Sequence, residues 1–329
     1  MNNPINTDPK LSSLSGRNLA KIPDLSSDLT KLIIDRARFF KAEHRSGRRQ
    51  HPSLNGKVVS MVFEKPSLRT KVAFEVAATS LGATPVFLSS SQIFASGNNE
   101  RGRESVPDIA RNLERFTDII IARVYRHEVI QEMIESIQIP VINALCDKHH
   151  PTQALADLLT ISELASKPPQ ETTVVFIGDG NNVATSLMHI CALMGYNFRA
   201  VSPKDYEIPN DLRNFANDNA KKNGSTIEFH SDPKIGVRNA DFVYTDTFTS
   251  MGQESEHQKR LSAFNGFSVD SDLMALAKPD AKFMHCLPAH RGEEVTDQVM
   301  DCKNSVVFDQ AENRLHIAKA LLDLILSKS

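Results

Sequence analysis

Ser67, Arg69 and Thr70 stand within one tetrapeptide that closely follows an apolar run, Val58–Phe63. Such a run reads as a buried strand. The residues that come after, Val72, Ala73, Val76, Ala77 and Leu81, are spaced as one face of a helix that Gly82 can close. The turn between strand and helix therefore brings two hydroxyls and a guanidinium onto a helix's first turn. Free backbone N–H groups and the positive end of the helix dipole favour an anion there. This is chemistry for a phosphate or a carboxylate. An ordinary N-cap beside a surface arginine would use the same residue types, so the tetrapeptide alone leaves both readings open.

Other polar residues follow other apolar runs. Arg123 ends Ile119–Arg123, and His149-His150-Pro151-Thr152-Gln153 comes after the run 140–143, with Pro151 placed to start a helix. Asn181 and Asn182 lie beyond Thr173–Ile177, Asp246 lies beyond Phe242–Thr245, and Cys286 follows Lys282–His285 within His285-Cys286-Leu287-Pro288. Each has a plain explanation alone, since arginines pair with surface acids and a buried cysteine behaves as a small hydrophobe. Their common position is more telling. Open α/β sheets place ligands just beyond the carboxyl ends of their strands.

Gly178-Asp179-Gly180-Asn181-Asn182-Val183 follows a strand and opens a helix, as a dinucleotide fingerprint does, but Val183 occupies the place of the third glycine. The next strand ends at Ser202-Pro203, with no acid for a ribose, so a nicotinamide cofactor is not expected. No cluster of His, Cys and Asp has metal-ligand spacing, and no metal is expected either.

The elements that must hold these residues alternate. Strands are expected at Val58–Phe63, 86–88, Ile119–Arg123 and 140–143, with helices over 106–116, 127–137 and 152–165. Ser166-Lys167-Pro168-Pro169-Gln170 is the candidate hinge. A second alternation comes after it, with strands at Thr173–Ile177, 198–201, 226–229, Phe242–Thr245, Lys282–His285 and 305–308, then a terminal amphipathic helix over 311–326. This is α/β architecture with mainly parallel sheets. At 329 residues the chain suits two modest domains. A net charge of −2 does not suggest a nucleic-acid binder, and no apolar run approaches the ~20 residues that span a bilayer. The four cysteines have no paired spacing, and the start of the chain lacks a secretory or transit signature, so a reducing cytoplasm is the expected location.

Ser67-Leu68-Arg69-Thr70, Arg123, His150-Pro151-Thr152-Gln153, Asp246 with Ser250-Met251-Gly252, His285-Cys286-Leu287-Pro288 and Arg314 in Glu312-Asn313-Arg314 occur in that order. The set closely resembles the ornithine carbamoyltransferase family, from about Gly16 to the C-terminal helix. The first and third motifs are shared with aspartate carbamoyltransferases and so point to carbamoyl phosphate. The Asp246 and Cys286 segments resemble the ornithine branch.

The resemblance implies two doubly wound α/β domains joined by interdomain helices. Residues 1–151, completed by a C-terminal helix 311–329, would bind carbamoyl phosphate, and residues 152–310 would bind ornithine. It implies that Ser67, Leu68, Arg69, Thr70 and Arg123 hold the phosphate, and that Arg123, His150 and Thr70 surround the carbamoyl oxygen. Gln153 and the carbonyl of Leu287 would take the carbamoyl NH2, with Arg314 fixing the group and Cys286 close by. Asp246 and Cys286 would gather the δ-amine, while Asn182, Ser250 and Met251 would hold the α-amino acid end. Arg123, His150, Asp246 and Cys286 would then be the catalytic set, with a cis bond expected at Leu287–Pro288 and no cofactor needed.

The family also implies a homotrimer with sites at subunit interfaces, reached by a basic residue of the 94–103 loop. Arg103 is the best match and Arg101 the next. This chain departs from the family pattern at Leu68, where threonine is common, in the length of the 94–103 loop, and at Phe248, where tryptophan is frequent. A carbamoyltransferase using putrescine, N-acetylornithine or aspartate is the alternative in catalysis. A silent binding protein of the same fold is the alternative in class.

Overall fold

The computed structural model describes residues 14–89, 104–250 and 252–327. Two compact units emerge, Met1–Ala156 with Asn313–Ser329, and Asp157–Glu312. The chain passes from one to the other inside the helix Pro151–Leu164 and returns inside the helix Val307–Leu326. The expected hinge at Pro168-Pro169 is instead a short 3-10 turn, Pro169–Glu171, leading into the next strand. The proline pair comes after the helix has ended at Leu164 and lies within the second unit.

In the first unit, β1 (Val58–Phe63), β2 (Thr84–Ser89), β3 (Ile119–Arg123) and β4 (Val141–Leu145) form a sheet of order β2-β1-β3-β4. Every pairing is parallel. β3 is buried at all positions and β1 at all but its first, as strands covered on both faces must be, and both are correspondingly apolar through most of their length. In the second unit, β5 (Thr173–Ile177), β6 (Asn197–Val201), β7 (Ile227–His230), β8 (Phe242–Thr245) and β9 (Lys282–His285) take the order β7-β6-β5-β8-β9, again all parallel. Strand order reverses beside β1 and beside β5. A crevice opens at such a reversal, because neighbouring connections leave on opposite faces.

Two expectations need correction. Residues 305–308 are not a strand. Ser305 keeps an isolated bridge to Phe283, and the helix Val307–Leu326 has already begun at Val307. The three apolar residues Val306-Val307-Phe308 are too few to hold a strand against a succeeding run buried at helical spacing, and Phe308 is left exposed. Nor do Val72 and Val76 share a buried face with Ala73, Ala77 and Leu81. The helix Leu68–Ser80 buries Ala73, Phe74, Ala77 and Ala78, while Leu68, Val72 and Val76 form an outward stripe, 72%, 47% and 44% exposed. Among the described residues, no helix is long and apolar enough to cross a membrane.

Candidate functional sites

In the first unit, the turn after β1 delivers its residues as the spacing suggests. Ser67 is the N-cap of the helix Leu68–Ser80, in extended conformation, and its Oγ accepts from the Thr70 N–H at 3.3 Å. The cap reading and the anion reading therefore coexist, because one serine oxygen engages only one of the orphan donors. Thr70 is buried, and its hydroxyl oxygen accepts from Arg314 Nη2. With that oxygen occupied, the hydroxyl proton remains available to a ligand.

Arg123 at the end of β3, His150 after β4, Gln153 in the first turn of the helix Pro151–Leu164, and Arg314 on Val307–Leu326 are all buried. The His150 imidazole is pushed well below its ordinary pKa, first by burial and then by the positive charges of Arg314 and Arg123. It is a neutral ring among cations. Lys65, which motif spacing does not single out, belongs to the same neighbourhood. The residue is 8% exposed, its ammonium lies over the Tyr125 ring at 4.5 Å, and its pKa is lowered by burial and by Arg123. A lysine in a turn gives no sign of burial in sequence, so only the fold reveals it. Concentrated buried cations of this kind are costly unless an anion accompanies them.

In the second unit, Asp246 and Cys286 leave the ends of neighbouring strands, β8 and β9. Cys286 Sγ donates to Asp246 Oδ1 at 3.0 Å, the Thr247 N–H donates to the same oxygen at 2.8 Å, and Asn181 Nδ2 donates to Oδ2 at 2.9 Å. All three donors are neutral. Among the described residues no lysine or arginine pairs with this buried carboxylate, so its charge stands uncompensated. Asn181 also caps the helix Asn182–Met194 by accepting from Val183 N and Ala184 N. It is thus Asn181 that orients Asp246, while Asn182 opens the helix and is half-buried. Gly180 has a packing reason of its own, since a Cβ there would stand 2.2 Å from the Ile208 nitrogen.

The segment after Asp246 is braced from below. Buried Arg260 donates to Asp179 at 2.9 Å, to the Phe248 carbonyl at 3.0 Å and to Glu256 at 3.3 Å. Phe248 is buried and stacks on Phe264 with ring centroids 4.6 Å apart, which accounts for a phenylalanine at this position. Ser250 closes a turn in which its N–H reaches Gln253 Oε1 at 3.2 Å. Met251 lies outside the described residues, as do Arg101 and Arg103 and the rest of the 94–103 segment.

His285, at the end of β9, fixes the backbone just beyond it. The Leu287 N–H donates to His285 Nδ1 at 2.9 Å, so Nε2 carries the ring proton and gives it to Glu294 Oε1 at 3.1 Å. The His285 N–H reaches Gln310 Oε1 at 3.0 Å, and Gln310 Nε2 donates to Asp157 at 2.7 Å. Leu287 has φ +59 and precedes a cis peptide bond to Pro288, as expected. Chain folding also gathers carboxylate, imidazole and thiol ligand atoms that sequence spacing did not signal, in Asp246, His285 and Cys286, and carboxylate and imidazole atoms in His290, Glu293 and Glu294.

Residues 17–163 match the carbamoyl-P binding domain of aspartate/ornithine carbamoyltransferases, and residues 170–325 match their Asp/Orn binding domain. An ornithine carbamoyltransferase of Bacillus subtilis is 45% identical over 317 residues, 96% of each chain. One of Pyrococcus furiosus, described as anabolic, is 44% identical over 95% of this chain and 98% of its own. The solved structure of an ornithine carbamoyltransferase from Pyrococcus furiosus superposes with a TM-score of 0.91 at 44% identity, covering 96% of this chain and 99% of that one.

Proposed function

The chain belongs to the aspartate/ornithine carbamoyltransferase family, and we propose that it transfers the carbamoyl group of carbamoyl phosphate to the δ-amine of L-ornithine, giving L-citrulline and phosphate. The uncompensated carboxylate of Asp246 is the observation that carries the choice of acceptor. It is held by three neutral donors and lies beside Cys286, at the ends of β8 and β9. A cationic amine supplies the charge this group lacks. Aspartate, an anionic acceptor, would be repelled.

On this reading Ser67, the Leu68 N–H, Arg69 and Arg123 bind the phosphate, with guanidinium forks matched to its oxygens. Arg123, neutral His150 and Thr70 donate to the carbamoyl oxygen and stabilise the negative charge that grows there. Gln153 takes the NH2 group and Arg314 fixes Thr70. Asp246 collects the ammonium form of ornithine and orients the amine once it has lost a proton. Asn182, Ser250 and Met251 hold the α-amino acid end. Attack of the amine on the carbamoyl carbon forms the C–N bond, and collapse of the tetrahedral intermediate breaks the C–O bond to phosphate, which leaves with the amine's proton. Positioning and charge stabilisation supply the rate.

We further propose that residues 1–151 with 311–329 carry the carbamoyl phosphate role and 152–310 the ornithine role. The protein acts in arginine formation in the cytoplasm, in keeping with a relative described as anabolic. A homotrimer is supported by the outward stripe Leu68, Val72 and Val76, apolar surface on the helix that opens the phosphate site. In that assembly Arg103 would reach a neighbour's site. The deciding experiment is a citrulline assay with carbamoyl phosphate and ornithine, lysine, putrescine, N-acetylornithine or aspartate. Ornithine should be the best acceptor by a wide margin. Preference for any other would overturn the acceptor assignment, and no turnover with any would leave a binding protein.

A further inference from the structure

We propose that His290, Glu293 and Glu294, with His257 beside Glu293, form a site for a divalent transition-metal ion of the zinc, cobalt or nickel class. The site stands apart from the residues assigned to transfer. His257 begins the helix His257–Ala263, directly after the segment that carries Ser250, and the other three belong to the loop after Leu287–Pro288. Folding therefore brings together two stretches that sequence spacing keeps apart. Ligand atoms of His290, Glu293 and Glu294 lie within 4.8 Å of one another.

The distances favour a shared cation over direct bonding. His290 Nδ1 stands 3.7 Å from Glu293 Oε2, and His257 Nε2 stands 3.6 Å from Glu293 Oε1. Both exceed hydrogen-bond length. Donors held at ~2.0–2.1 Å around a tetrahedral ion are themselves ~3.3 Å apart, so a shift of a few tenths of an ångström brings each histidine to ligand spacing from Glu293.

An independent observation comes from the carboxylates. Glu294 is fully buried, and its Oε2, like Oε2 of Glu293, is a buried oxygen with no hydrogen-bond partner among the described residues. Buried carboxylate oxygens without donors are unfavourable, and a cation bound by these carboxylates removes the penalty. The outer contacts are also those of a metal centre. Thr249 Oγ1 engages His257 Nδ1 at 3.2 Å, which leaves Nε2 to face Glu293. Glu294 Oε1 accepts from His285 Nε2 and from the His290 N–H at 2.5 Å. Partners of this kind orient the ligands. Imidazole and carboxylate without thiolate select zinc, cobalt or nickel over calcium or magnesium. Occupancy would clip the segment bearing Thr249 and Ser250 to the loop beyond Pro288.

The test uses the full chain after treatment with a chelator, with Co²⁺ as the probe. One ion per chain should bind, giving visible d–d absorption without a near-ultraviolet sulfur-to-cobalt band. That band reports the competing group Asp246, His285 and Cys286, and its appearance on the first equivalent would overturn the proposal. His290→Ala and Glu293→Gln sit at exposed or half-exposed positions where folding is safe, and each should weaken Co²⁺ by at least about tenfold. His257→Ala should do the same and leave the spectrum altered. Excess Mg²⁺ should not compete. Unchanged affinity in His290→Ala and Glu293→Gln, or no binding at submillimolar Co²⁺, would show ion pairs only and end the proposal.

Discussion

Cys286 gives its thiol hydrogen to Asp246 across 3.0 Å, which ties the carboxyl ends of β8 and β9 into one polar pair. The thiol acts as a donor to an anion here, and Asn181 and the Thr247 N–H complete the carboxylate's shell. What it lacks is positive charge.

Asp246→Asn should therefore raise the KM for ornithine by roughly 10–100-fold, the equivalent of ~1.5–3 kcal/mol for one charge-assisted contact. Carbamoyl phosphate affinity should change little. Steady-state kinetics beside direct titration of carbamoyl phosphate separate the two, and an unaltered ornithine KM would remove Asp246 from acceptor binding.

Thr70→Val should cost about 1–3 kcal/mol of stability, because it strips the acceptor from a buried guanidinium donor of Arg314. Carbamoyl phosphate binding should weaken with it, and Thr70→Ser should recover most of both. Urea unfolding of the two variants decides this. Equal behaviour of valine and serine would mean that the hydroxyl is unimportant.

His150 makes stability depend on pH in a defined direction. Burial, Arg314 and Arg123 hold its folded pKa well below 6.5, and burial, Lys148 and Lys21 lower that of His127. Below ~6.5 the unfolded chain therefore binds protons that the folded chain refuses, so stability is full above that pH and falls as pH drops. Each histidine contributes up to ~1.4 kcal/mol per pH unit within its window. Unfolding midpoints measured from pH 7.5 to 5 should fall, and His150→Gln should flatten the slope. An equal slope in that variant would contradict the assignment.

Arg260→Leu should destabilise by about 3–5 kcal/mol, since Asp179 would be left buried without its partner. Burial already raises the Asp179 pKa despite Arg260. The double variant with Asp179→Leu should be more stable than Arg260→Leu alone. If the two losses simply add in denaturant titrations, the pair is not coupled.

If the proposed trimer packs on this stripe, Val72→Lys with Val76→Lys should break it while leaving helicity intact, because burying each valine is worth ~1.5–3 kcal/mol. Sedimentation velocity reads the outcome directly. A particle of unchanged size would place the subunit contact elsewhere.

The strands were legible because parallel strands buried on both faces are continuous apolar runs, and β1, β3, β5, β8 and β9 match their sequence spans. The residues at their carboxyl ends were legible for the same reason: once a strand is located, the next polar residue has an address. What stayed hidden depends on long-range contact. Arg260 lies on a helix whose pattern looks solvated, yet it meets Asp179 across 81 residues. The outward turn of Val72 and Val76 could not be read from spacing alone, since adjacent apolar residues on a short helix fit either face until the partner layer is known. The 305–308 run misleads because three apolar residues fit a strand end and a helix start equally well.

The helix Leu68–Ser80 has two duties. Its first turn carries Arg69 and Thr70 behind the Ser67 cap, and its outer face carries the stripe of Leu68, Val72 and Val76. Leu68 belongs to both. If a phosphate binds this turn and a neighbouring subunit packs on the stripe, as proposed, ordering of the one favours the other. By thermodynamic reciprocity the two equilibria must then move together. In the proposed trimer, dilution of the protein would loosen its hold on carbamoyl phosphate, and saturation with carbamoyl phosphate would tighten the association of its subunits.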